Sequence, residues 1–145
     1  MDNTTQTLDY WINLAKQIAN DSHKNQFRRD GVTPYIIHVD GVAQQVEPRL
    51  KPIAYLHDVV EDTKTTLQDL INAGFPSYIT DAVNLLTHRS SDPDIIYWKG
   101  ILTNPDAAEV KVVDINYNLN DNPSQNQINK YNRALEIFAQ AGYSV

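Results

Sequence analysis

The sequence predicts an all-α fold in a single domain spanning residues 1–145, on three observations. Apolar residues recur every three or four positions through most of the chain. The periodic stretches are bounded by Pro, Gly and Asn-Pro punctuation at helix-like lengths. No segment alternates apolar and polar residues as a half-buried strand would. With 145 residues, 41% of them hydrophobic and 9% aromatic, the chain is long and apolar enough to bury one core. Roughly seven or eight short helices are expected.

Taken in order, Leu8, Trp11, Ile12, Ala15, Ile18 and Ala19 form one stripe of a first helix. The stretch from Asp21 to Asp30 turns polar and basic, and Asp30-Gly31 marks a turn. Pro34 opens a short second helix carrying Ile37, His38, Val42, Ala43 and Val46. Pro48 and Pro52 bracket a connection, and Pro52 suits the first turn of a central helix through Ile53, Leu56, Val59 and Val60. Thr65-Thr66-Leu67-Gln68 reads as a capping box, with Gly74 as the stop of the helix it starts. Ile79, Val83 and Leu86 mark the next helix. Asp92-Pro93 reads as an N-cap followed by Pro, leading into Ile95, Ile96, Trp98, Ile101 and Leu102. Asn104-Pro105 repeats that signal before Ala107, Val110, Val113 and Tyr117. The last helix carries Ile128, Tyr131, Leu135 and Phe138 and stops before Gly142.

Composition narrows the function. A net charge of −6 argues against a general nucleic-acid or anionic-membrane binder, while leaving room for a phosphorylated small molecule in a local basic pocket. The absence of cysteine removes disulfides, thiol nucleophiles and Cys-zinc sites. Residues 1–7 are polar, without a signal-peptide core, and no apolar run approaches the ~20 residues of a membrane span. A cytoplasmic location is therefore expected; oligomeric state is not readable.

The chemistry concentrates in Ala54-Tyr-Leu-His-Asp-Val-Val-Glu-Asp-Thr63. On a helix His57 and Glu61 stack one turn apart, as do Asp58 and Asp62, with no Lys or Arg between Pro52 and Thr63. Half-buried and unpaired, each carboxylate would cost about several kcal/mol, so a divalent metal is the economical compensation. His38, among Ile36, Ile37 and Val39, and Asp114, in the apolar run Val110–Asn118, are the further ligand candidates. Two His and two Asp leave coordination positions open and suit Mn, Fe or Zn better than calcium. Arg28 and Arg29 are candidates for a phosphate clamp. His23 and His88 are expected at the surface, and Trp98 and Tyr131 in the core. A Gly-rich phosphate loop and a Gly-x-Ser-x-Gly elbow are both missing.

Four stretches together resemble the HD superfamily, and within it the alarmone hydrolases: the hydrolase half of the bifunctional Rel/Spo proteins and the small hydrolases called Mesh. They are His23-Lys-Asn-Gln-Phe-Arg-Arg29, Gly31-Val-Thr-Pro-Tyr-Ile-Ile-His38, Tyr55-Leu-His-Asp-Val-Val-Glu-Asp-Thr63 and Val110-Lys-Val-Val-Asp-Ile-Asn-Tyr-Asn118. The resemblance implies one Mn ion on His38, His57, Asp58 and Asp114. It implies that Glu61 and Asp62 position and deprotonate the attacking water. It places Arg28 against the base, Asn118 near the ribose and Tyr131 near the substrate, with Arg29 and Lys111 completing the binding set. The implied reaction removes pyrophosphate from the 3′ position of ppGpp or pppGpp, without a synthetase domain for which 145 residues have no room. Hydrolysis of other nucleotides, adenosine alarmones among them, or non-catalytic alarmone binding remain the alternatives. Arg29 stands where the family usually has Lys, and Val39 where it usually has Pro.

Overall fold

A computed structural model describes residues 6–145 and bears out the all-α expectation. The first five residues of the polar amino-terminal run lie outside the described residues. The described helices are α1 (Leu8–Ser22), α2 (Tyr35–Gln44), α3 (Lys51–Leu56), α4 (Val59–Asp62), α5 (Leu67–Asn72), α6 (Ser77–Leu86), α7 (Asp94–Ile101), α8 (Pro105–Leu119) and α9 (Gln125–Gln140). A 3-10 turn over Pro48–Leu50 leads into α3. The only pairing of β type among the described residues is an isolated bridge between Phe27 and Pro34. No described helix is long and apolar enough to cross a membrane.

Helix α3 is the hub. Every residue from Pro52 to His57 is buried, which a short helix achieves only when neighbours surround it. It packs against α1, α2, α6 and α8, and α8 in turn carries α9 on its far side. Ile53, Leu56, Ile79, Ile101, Ile115 and Phe138 are all fully buried in the one core. Truncating any of them to Ala would cost about 2–5 kcal/mol. Between α2 and α8 the contact is unusually close. A Cβ at Gly41 would run into the Tyr117 ring, so glycine is what lets that ring lie against α2.

Several local expectations need correcting. The central run is not one helix: it breaks at His57 and Asp58, which separate α3 from α4. The Ala54 carbonyl takes both the His57 backbone N–H (3.4 Å) and its ring Nδ1 (2.6 Å), so the side chain helps close a tight turn there. The capping box is one residue later than read, with Thr66 as N-cap and Asp69 as its reciprocal partner. The Thr65 hydroxyl pairs instead with Ser22 Oγ at 2.8 Å. Pro93, not Asp92, sits at the N-cap of α7. Ile37, Ile95 and Ile96 face solvent, and Val46 lies beyond the end of α2. The Asn104 cap is as read: its side chain accepts from the Ala107 N–H at 3.1 Å.

Candidate metal centre and substrate pocket

Three pieces of the chain meet at one point. His38 comes from the middle of α2, His57 and Asp58 from the break after α3, and Asp114 from the middle of α8. Each offers one ligand atom, and the four atoms lie within 4.8 Å of one another. The sequence-predicted quartet is thus brought together, and its two imidazoles and Asp114 are buried.

The donor chemistry fits a dication. A carbonyl can only accept, so His57 Nδ1 must donate to Ala54 O, which leaves Nε2 as the ring nitrogen available to an ion, 3.0 Å from Asp58 Oδ2 and 3.3 Å from Asp114 Oδ1. His38 Nε2 approaches Asp114 Oδ1 to 2.8 Å and Asp58 Oδ2 to 4.0 Å. The carboxylates are themselves steadied. Tyr35 donates its hydroxyl to Asp58 Oδ2 at 2.5 Å, and Lys111 and Asn118 reach the two oxygens of Asp114 at 3.0 and 3.3 Å. Without an ion, burial works against charge on His57, but Asp58 and Asp114 outweigh it and raise its pKa well above the ordinary value. The imidazolium then stands where a metal's charge would, so metal binding releases a proton. Burial likewise opposes charge on Asp114, yet Lys111 and His57 hold its carboxyl well below the usual range.

Glu61 and Asp62 end α4 and face the same cavity as Asp58 and Asp114. They differ in engagement. Glu61 Oε1 accepts from the His88 backbone N–H at 2.6 Å, tying α4 to the loop between α6 and α7. Asp62 has no such side-chain tie, and partial desolvation together with Asp58 and Glu61 pushes its carboxyl up to about 6.

Arg28, Arg29, Lys111, Asn118 and Tyr131 all line this cavity. Arg28 is held: Asp121 Oδ2 accepts from its Nη2 at 2.7 Å, and Asn118 Oδ1 from the same nitrogen at 3.0 Å. Its guanidinium lies 5.8 Å from the Tyr35 ring centre. Trp98 is buried as a core residue and Tyr131 half-buried, and both also face the cavity.

Two histidine expectations fail. His23 is buried, its Nδ1 bonded to Gln26 Oε1 at 2.9 Å and its ring 4.9 Å from that of Tyr35. Burial lowers its pKa. His88 is half-buried at the cavity wall, with Nε2 donating to Asp92 O at 3.0 Å. Neither burial leaves a periodic trace, because both residues follow the end of a helix. Tyr35 and Lys130 were given no role from sequence. Tyr35 sits in one of the four family-like stretches, three residues before His38, which was the available signal; Lys130 had none beyond its neighbour Tyr131.

No family model matches the chain. Over 120 residues it is 34% identical to the guanosine-3′,5′-bis(diphosphate) 3′-pyrophosphohydrolase MESH1 of Mus musculus, a match covering 74% of this chain and 66% of the mouse protein. Over 72 residues it is 42% identical to the guanosine-3′,5′-bis(diphosphate) 3′-pyrophosphohydrolase of Vibrio cholerae, covering 46% of this chain and 10% of that protein. The chain thus spans a little under two thirds of the first relative and a small part of the second. A solved structure described as a metazoan ortholog of SpoT that hydrolyses ppGpp superposes with a TM-score of 0.71 at 23% identity, covering 90% of this chain and 84% of the other, and shows the same fold. In sequence the chain is thus similar to these guanosine-3′,5′-bis(diphosphate) 3′-pyrophosphohydrolases, and it shares the all-α fold of the ppGpp-hydrolysing SpoT ortholog.

Proposed function

We propose that the protein is a Mn-dependent 3′-pyrophosphohydrolase of ppGpp and pppGpp, yielding GDP or GTP and pyrophosphate. The observation that carries this reading is the convergence of His38, His57, Asp58 and Asp114 within 4.8 Å beside a cavity that also exposes Glu61, Asp62 and several cations. The names of the mouse and Vibrio relatives support the same substrate.

The four ligands would hold the ion, which when bound supplies Lewis acidity to water and to a phosphoryl oxygen. Asp62 takes the proton from the attacking water, a task suited to a carboxyl whose pKa is already raised to about 6. Oxygen from water forms the new bond to phosphorus, the bond from that phosphorus to O3′ breaks, and O3′ leaves with a proton from solvent. Glu61, committed to the His88 N–H, holds the α6–α7 loop against the cavity while Asp62 works. Arg28, fixed by Asp121 and Asn118, presents a flat cationic face suited to a nucleobase. Arg29, Lys111, Asn118 and Tyr131 complete the substrate's surroundings.

Incubation with ppGpp and Mn²⁺, with chromatographic identification of products, should yield GDP and pyrophosphate in equal amounts. Absence of pyrophosphate release, or activity confined to ordinary dNTPs, would refute the reading. The double variant Glu61→Ala, Asp62→Ala should retain Mn²⁺ binding by calorimetry yet lose turnover by at least about a hundredfold. Retained turnover would remove both residues from the chemistry.

A further inference from the structure

The end of α1 bears on the cavity only through other residues. Ser22, His23 and Gln26 are not part of its lining, yet two of them hold the segment that carries Asp62. That segment needs support. Helix α4 is four residues long, Val59–Asp62, and the last carbonyls of a helix have no partner inside it. The Asp62 carbonyl finds one outside: Gln26 Nε2 donates to it at 3.0 Å. A carbonyl accepts and never donates, so the Gln26 amide is oriented with nitrogen toward Asp62 and Oε1 toward His23. His23 Nδ1 donates to that Oε1 at 2.9 Å. The Gln26 backbone is pinned as well, its N–H on His23 O at 3.0 Å and its carbonyl accepting from the Tyr35 N–H at 2.9 Å. Ser22 Oγ and Thr65 Oγ1, 2.8 Å apart, make a second tie between α1 and the stretch after α4. The histidine is a costly choice for packing alone. It is buried and its Nε2 has no partner, a penalty that an apolar side chain of similar size would avoid. Burial lowers its pKa, so the neutral ring carries one N–H, and that one goes to Gln26.

We propose that Gln26, oriented by His23, is a positioning residue for the reaction: it anchors the end of α4 and thereby sets the aim of the Asp62 carboxylate. This rests on the function proposed above, in which Asp62 takes the proton from the attacking water. A carboxylate on a one-turn helix follows every tilt of its own backbone. The Asp62 backbone is braced from both sides, its N–H on Asp58 O at 3.0 Å and its carbonyl on Gln26. A displacement of about 1 Å at a reacting group can cost about a hundredfold in rate. Neither Gln26 nor His23 lines the cavity or belongs to the His/Asp cluster, so substrate and metal binding do not depend on them directly.

Gln26→Met keeps the length of the side chain and removes both of its hydrogen bonds. It should lower kcat for ppGpp about tenfold, with KM and Mn²⁺ affinity unchanged. Amide hydrogen exchange at Asp62 and Thr63 should quicken about two- to tenfold in the same variant, with α3 and α8 as before. His23→Leu should lower kcat in the same direction, less steeply, while holding or raising the melting temperature because the unpartnered Nε2 is gone. A purely structural role would move rate and stability together. His23→Asn, whose amide presents an N–H near the place of Nδ1, should restore most of the rate. Exchange at Asp62 indifferent to Gln26→Met, or faster exchange with kcat unchanged, would overturn the proposal. Absence of ppGpp turnover in the unsubstituted protein would instead refute the hydrolase reading, and the anchor would still stand or fall on the exchange at Asp62.

Discussion

Two parts of the cavity lining are built on opposite principles. At the His/Asp cluster the carboxylates are crowded with partners: Asp114 alone is approached by His38, His57, Lys111 and Asn118, and Asp58 by His57 and Tyr35, while His38 Nδ1 is buried without one. Elsewhere on the lining, Arg29 and Lys130 have no carboxylate partner among the described residues, Arg29 donating to the Asp121 carbonyl and Lys130 lying beside the Tyr131 ring. The first arrangement fixes geometry in advance, as bond-making requires. The second leaves electrostatic attraction to be satisfied by whatever enters. Removing a group from the crowded part should therefore damage folding and metal binding together, whereas the open part should respond only when an anion is present.

The largest expected effect tests the crowded part. Asp114→Ala strands the half-buried Lys111 ammonium and should lower unfolding free energy by about 3–5 kcal/mol in urea titrations of the metal-free protein, besides abolishing Mn²⁺ binding. A loss below ~1 kcal/mol would show that the pair is better solvated than its burial implies. Next comes Tyr35→Phe, which deletes one hydrogen bond to Asp58 while keeping the ring. It should weaken Mn²⁺ about 10–100-fold with the fold intact. Unchanged affinity would mean that Asp58 is oriented by His57 and the backbone alone.

The smallest effect concerns pH. Asp62 holds its proton more tightly in the folded chain than at the ordinary value of 3.8, up to about 6. Between those two values the folded state binds more protons than the unfolded one, so this group's contribution makes stability fall as pH rises through that window. Asp62→Asn should remove that part of the slope in the metal-free protein and leave it slightly more stable at neutral pH. A slope unaltered by the substitution would place the carboxyl in water. Bound metal should shrink the effect, since a dication lowers the pKa of every nearby carboxyl.

How much of this was legible depended on whether the cause was local. Helix order could be read because Pro48, Pro52, Asn104-Pro105, Gly74 and Gly142 punctuate apolar runs. The coming together of His38, His57, Asp58 and Asp114 could be anticipated because acids in apolar surroundings need compensating charge wherever they fold. The break at His57 could not. Every residue there is compatible with a continuous helix, and the interruption depends on an imidazole folding back onto Ala54 O. The burial of His23 is hidden for a similar reason: it follows the last helical residue, so periodicity says nothing, and the Tyr35 ring beside it, tilted at 42°, comes from a later stretch of chain. The pairing of Arg28 with Asp121 lies equally out of reach, since it joins positions 93 apart in the chain.

Gly41 shows how tightly the outside of the fold is coupled to its centre. Tyr117, the ring that a methyl at that position would strike, also crosses the His38 imidazole edge-on at 4.9 Å between centroids. A single carbon added on α2 would therefore press through one phenol onto the His38 imidazole. A metal held by these four side chains would therefore depend on the α2–α8 spacing as well as on the donors themselves.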